Sequence, residues 1–146
     1  MNEQDANYWT SMVQMDCDEP EVAECLLRHG VELGALEWMD ESGRASLEGP
    51  GVILHLWKPV ATGEPAVFVR GVEFGASYEG SLPHGIDAAD ALVDIGLKLH
   101  PAMPVPGGEP HFYEAVFPEH RLVIQMDADD ILQSISWFTT RELSPG

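Results

Sequence analysis

Lysine is almost missing from this chain. Lys58 and Lys98 are the only two in 146 residues, and Lys and Arg together number 7 against 25 Asp and Glu. The net charge of −18 works against nucleic acid and anionic lipid, because binding to either rests on cations that neutralise phosphate. Long apolar runs are missing too, and no stretch reaches the length of a membrane span. The start, Met1-Asn2-Glu3-Gln4-Asp5, has neither the basic residues nor the apolar stretch of a secretory leader. A cytoplasmic protein without nucleic acid or membrane partners is expected. Cysteine is scarce: Cys17 and Cys25, if both helical, would stand ~12 Å apart at ~1.5 Å rise per residue. That is too far for a disulfide, so two reduced thiols are expected.

Catalytic motifs are absent as well. No serine sits in a Gly-x-Ser-x-Gly elbow. The glycine clusters Gly49-Pro50-Gly51 and Gly107-Gly108 lack a P-loop lysine. Asp127, Asp129 and Asp130 suggest a calcium loop, but no glycine or glutamate follows at the offsets an EF-hand needs, so a solvated turn is expected. With 25 acids to choose from, any carboxylate pair can be drawn, so none is informative. Neither an enzyme nor a cofactor is expected.

What is present reads as one domain over residues 1–146, 45% apolar and long enough to bury a core. Tyr8, Trp9, Met12 and Val13 have helical spacing, for a short helix or an extended arm. Asp18-Glu19-Pro20-Glu21 is a helix start, and Gly30 ends that helix. His29 near its end fits the dipole when protonated. Strands are expected at Glu37–Met39, Ala45–Leu47, Val52–Trp57 and Ala66–Phe74, the last bulged at Gly71. Asp87 and Asp90 repeat the helix-start chemistry, and Leu92, Ile95 and Leu99 give that helix an apolar face. Residues 101–110, with four prolines and two glycines, read as a loop. Strands follow at Phe112–Phe117, Arg121–Met126 and Ile131–Phe138.

The two halves match in pattern. Val52, Leu54 and Leu56 correspond to Leu122, Ile124 and Met126 at an offset of seventy, as Val22, Ala23 and Leu27 do to Leu92, Val93 and Leu97. Asp16 and Asp87 match one residue further apart, and the last strands match at sixty-four. Each unit alone could bury only one face of a small sheet, and joining two makes a larger core. The expected fold is α+β: tandem repeats of a helix and antiparallel strands, about 15–74 and 86–138, sharing one sheet with the helices on one face. A linker would cover 75–85 and a tail 139–146.

The segments Leu82-Pro83-His84-Gly85-Ile86-Asp87, Leu122–Met126 and Asp127–Trp137 resemble the repeat in certain small bacterial immunity proteins, which neutralise secreted polymorphic toxins. They are also similar to the tandem helix-plus-sheet units of the β-lactamase inhibitory protein. The resemblance implies a non-enzymatic inhibitor whose acidic surface occupies a basic protein partner, possibly a secreted toxin domain. For the partner surface, Asp40, Glu41, Glu48, Glu114 and Glu119 are the candidate acids, with Trp38 as an aromatic anchor. Trp9 could also be exposed, whereas burial is expected for Trp57. A different reading is a small-ligand or metal-binding domain using His111, Glu114 and His120, under a lid formed by residues 101–110. A third is a regulatory interaction module with no toxin.

Overall fold

A computed structural model describes residues 3–58 and 66–139. Three short helices are α1 (Ala6–Thr10), α2 (Pro20–Arg28) and α3 (Leu92–Leu99). Eight strands are β1 (Trp38–Met39), β2 (Ser42–Leu47), β3 (Val52–Trp57), β4 (Phe68–Phe74), β5 (Val105–Pro106), β6 (Phe112–Val116), β7 (His120–Met126) and β8 (Leu132–Thr139). All join one antiparallel sheet in the order β1-β2-β3-β4-β8-β7-β6-β5. The protein is therefore α+β with a single sheet. Among the described residues no helix is long and apolar enough to cross a membrane.

Period-two alternation divides the sheet into two faces. In β2, Gly43, Ala45 and Leu47 are buried while Ser42, Arg44 and Ser46 are exposed. One rung runs Ala45–Leu54–Val72–Trp137–Leu122–Ala115 across six strands, and of these only Trp137 keeps appreciable exposure. This face packs against the helices. Trp9 of α1 and Val22, Cys25 and Leu26 of α2 share a core with Leu54, Leu56, Val69 and Phe74. Ile95 and Leu99 of α3 share a second core with Leu122, Ile124 and Ile135. Leu82 touches both cores. Fully burying such a side chain contributes about 1.5–3 kcal/mol.

The helix starts differ from expectation in detail. Pro20 stands in the first turn of α2 as expected, but the cap position is Glu19 rather than Asp18. The Asp16 carboxylate accepts the Asp18 N–H (2.9 Å), tightening the turn before it. The second helix starts at Leu92, not Asp87. Asp87 accepts from the Ala89 N–H and donates its own N–H to Asp90, so the two acids close a turn ahead of the helix. Asp94 then reaches back to the Ala91 N–H (3.1 Å) and caps α3. Residues 101–110 are not wholly loop, since Val105 and Pro106 form the edge strand β5. The β1–β2 turn lies at Asp40 and Glu41, with Asp40 at φ 56°. The bulge in β4 skips Arg70 rather than Gly71, because His55 pairs with Gly71 and Leu56 with Val69. The expected loop at 58–65 lies outside the described residues after Lys58, and so does the tail after Thr139.

Candidate functional site: the uncovered face of the sheet

The helices cover one face of the sheet, and among the described residues no element covers the other. A rung on the open face runs Arg44–His55–Gly71–Phe138–Arg121–Val116. The next runs Ser46–Ile53–Glu73–Ser136–Val123–Glu114. Gly71 is decisive here. A Cβ at that position would lie 2.4 Å from the Phe138 Cδ1 and 2.7 Å from its Cε1. Only a glycine lets the Phe138 ring lie across the β4 backbone at the centre of the sheet.

That ring collects its neighbours. The His55 ring lies 5.0 Å from it, and the Arg121 guanidinium sits over it at 4.8 Å. Charged partners hold both in place. His55 Nε2 is 3.0 Å from the Glu73 carboxylate, which also pairs with Arg44 at 3.6 Å. Arg121 pairs with Glu114 at 3.6 Å. The His55 hydrogen bond keeps the Glu73 carboxyl below its usual range despite burial, with help from the charges of His55 and Arg44. Beyond this centre, Trp57 and Phe68 stand 6.3 Å apart, and Trp57 Nε1 donates to Glu41 (3.1 Å). Trp57 is thus a half-buried residue of the open face rather than the core residue expected from its apolar strand.

The acids named from the sequence do not converge on one spot. Asp40 and Glu41 lie in the β1–β2 turn, Glu48 follows β2 at the opposite end, and Glu119 lies between β6 and β7. Glu114 alone points from a strand onto the open face. Together they frame the face rather than fill it. Trp38 is not a free anchor. Its ring lies on Gly43, where a Cβ would approach Cζ3 to 2.8 Å; Nε1 donates to the Leu33 carbonyl, and Lys58 Nζ stands 5.0 Å above the ring. Trp9 is fully buried, with Nε1 donating to the Glu3 carbonyl.

The histidine set His111, Glu114 and His120 is not brought together. His111 precedes β6 at one end, where its carbonyl accepts the Met126 N–H, while His120 opens β7 at the other end. His120 also points to the helix side, away from Glu114. It lies flat on Trp137 at 3.7 Å and stacks on Phe117 at 4.5 Å. Its Nε2 is 3.0 Å from the Nε2 of His84, whose φ of 60° turns it toward the sheet. Burial, with the charge of His84 added, lowers the His120 imidazole to about 4. Burial also lowers His84. Within residues 101–110, Val105 and Pro106 form the β5 edge and pair with Glu114 and Tyr113.

The open-face residues that sequence reasoning passed over are His55, Gly71, Glu73, Arg121 and Phe138. One signal was legible, since a lone glycine inside a strand marks a close approach. No protein-family model, curated protein or solved structure matches the chain.

Proposed function

We propose that this chain is a non-enzymatic acidic binding protein, an immunity-type inhibitor of a basic secreted bacterial toxin, acting in the cytoplasm through the open face of its sheet. The observation that carries this reading is the make-up of that face. An aromatic and cationic centre (Phe138, His55, Arg121, Trp57) is internally ion-paired and flanked by acidic residues at Asp40, Glu41 and Glu48, whereas Glu119 lines a pocket with Thr10, Val13 and His120. A central cluster able to exclude water within a polar rim is how protein interfaces are built. The charge of −18 adds long-range attraction for a basic partner and speeds encounter. Phe138 replaces Trp38 as the central anchor, and the acids act mainly at the rim.

We also read the chain as a duplication. Support comes from the strand order, which runs β1 to β4 and then back from β8 to β5. Leu54 pairs with Val72 as Ile124 pairs with Ile135, which puts the last strands at an offset of sixty-three rather than the sixty-four read from the sequence. Gln14 and His84, seventy residues apart, both have positive φ ahead of their helices. On this reading the β4–β8 seam lies between the two repeats, and Phe138 sits at that seam.

The test begins with partner capture from the native host, followed by binding kinetics on the purified pair across a salt series. Association should slow as salt rises, since screening cuts the range of the field to about 8 Å at physiological salt. Val123→Asp, at the middle of the open face, should weaken binding by about tenfold or more, mainly through faster dissociation. Leu97→Glu, on the exposed side of α3, should leave it unchanged. Loss of binding in the Leu97 variant alone would move the interface to the helices and sink the open-face reading. Association indifferent to salt would leave the acidity serving solubility alone.

A further inference from the structure

Far from the open face, the chain entering α1 meets the end of α2. Among the described residues, Glu3, Cys25 and His29 are the group whose ligand atoms converge closely enough to hold a metal ion, all within 4.8 Å of one another. We propose that these three side chains form a binding site for one divalent transition-metal ion, zinc by ligand class, with the fourth position held by water facing the adjacent cavity. Cysteine sulfur, imidazole nitrogen and carboxylate oxygen are the zinc donor set, and three protein ligands with one open position are a standard zinc arrangement.

The backbone prepares this meeting. Cys25 and His29 stand one turn apart, with the His29 N–H donating to the Cys25 carbonyl at 3.1 Å. Glu3 comes from a distant part of the chain but is held on both sides. Its own carbonyl accepts from Trp9 Nε1 at 2.8 Å, and the Gln4 carbonyl accepts from the Ser81 N–H at 2.8 Å. Glu3 Oε2 already lies 2.6 Å from His29 Nε2. Two such atoms on one tetrahedral zinc, each at about 2.0 Å, would stand about 3.3 Å apart. A shift of ~0.7 Å therefore admits the ion. It would take the place of the proton now shared between imidazole and carboxylate. The Tyr8 hydroxyl accepts from the Arg28 guanidinium at 2.9 Å beside the site. Glu3 and His29 also line a cavity of about 450 Å³ with Pro50, Ser77, Tyr78 and Glu79.

The proton balance is explicit. The metal is bound by the Cys25 thiolate and the His29 Nε2 lone pair: the S–H bond breaks, an S–metal bond forms and that proton leaves to buffer, while the proton displaced from between His29 Nε2 and Glu3 leaves to buffer or moves to Nδ1. Because binding releases protons, affinity should rise with pH. The Arg28 guanidinium, 3.2 Å from Glu3, competes with the ion for the carboxylate. Nothing in this site depends on the toxin-inhibitor reading.

The probe is cobalt(II), titrated into the metal-free full chain and then displaced by zinc. One equivalent should produce a thiolate-to-cobalt charge-transfer band in the near ultraviolet, and zinc should abolish it. Cys25→Ser should lose the band. His29→Gln and Glu3→Gln should weaken cobalt binding by about tenfold or more, as loss of a ligand or its support does. If Cys25→Ser fails to fold, His29→Gln still decides the matter, since the His29 side chain is 17% exposed and outside the core. No band at stoichiometric cobalt, a band that survives Cys25→Ser, or unchanged affinity in His29→Gln would overturn the site.

Discussion

Gly71→Ala is the sharpest probe of the open face. Alanine inside a strand ordinarily gains about 0.5–1 kcal/mol over glycine. Here its Cβ would meet Phe138 Cδ1 at 2.4 Å and the Trp137 carbonyl oxygen at 2.8 Å. Real contacts do not come so close, so the ring must swing away. Overpacking of this kind costs about 1–3 kcal/mol. The displaced ring also loses Arg121, worth about 0.5–1 kcal/mol at an exposed site, and its His55 contact, worth about 0.5–1.5 kcal/mol. The expected net is a destabilisation of about 1.5–4.5 kcal/mol. At about 2–4 °C per kcal/mol for a chain of this size, Tm should fall by about 3–18 °C. The assay is urea unfolding followed by tryptophan fluorescence, on the wild type, Gly71→Ala, Phe138→Ala and the double variant. The Trp137 carbonyl contact persists in both backgrounds and cancels in the cycle. Removing the ring should therefore rescue Gly71→Ala by at least about 1 kcal/mol. Additivity within about 0.5 kcal/mol would refute the reasoning, because distant and independent sites behave that way.

Glu73 titrates low because His55 holds it. Its contribution to stability should be complete above its ordinary value of 4.5 and vanish as pH falls through the folded value, so Glu73→Gln should flatten the acid limb of a stability–pH curve. His120 has the opposite chemistry but the same slope. With its imidazole lowered to about 4 from 6.5, the unfolded chain binds the proton first, so stability should fall as pH drops from 6.5 towards 4. His120→Phe should remove that slope, and NMR titration should place its midpoint near 4; a midpoint near 6.5 would contradict the stacked pair. Burial, with Asp16 and Asp18 adding to it, pushes the Cys17 thiol up to about 12. Both buried thiols should resist iodoacetamide in the native metal-free state at pH 8, and the unreduced mass should show no loss of two hydrogens.

Where local chemistry decides structure, the sequence was readable. Leu122, Ile124 and Met126 alternate, and all three are buried on one face. Gly30 ends α2 with φ 68°. Where two local solutions competed, the wrong one was favoured. Asp87 and Asp90 can cap a helix or close a turn, and Asp94, the third residue of α3, offered a second cap. Val52–Trp57 reads as a strand buried on both faces, because nothing in its residues records that the helices cover only one. The open face itself was invisible for a simpler reason. His55, Gly71, Phe138 and Arg121 come from four separate segments, and only the register joins them. The Glu3 cluster was hidden likewise, since it needs the polar N-terminal arm to fold back on α2.

The sheet ends at β1 and β5, each two residues long, and β5 includes Pro106, which has no N–H to offer. β1 and β5 each pair with only two residues of the strand inside them, Ser42 and Gly43 or Tyr113 and Glu114, and Pro106 denies an incoming strand one hydrogen bond at the β5 border. On the proposed function, recognition falls to side chains on a broad plane whose backbone hydrogen bonds run within the sheet. Such a plane can be repainted one residue at a time while the scaffold beneath keeps its shape. A lineage pressed to track a changing adversary would gain from that freedom.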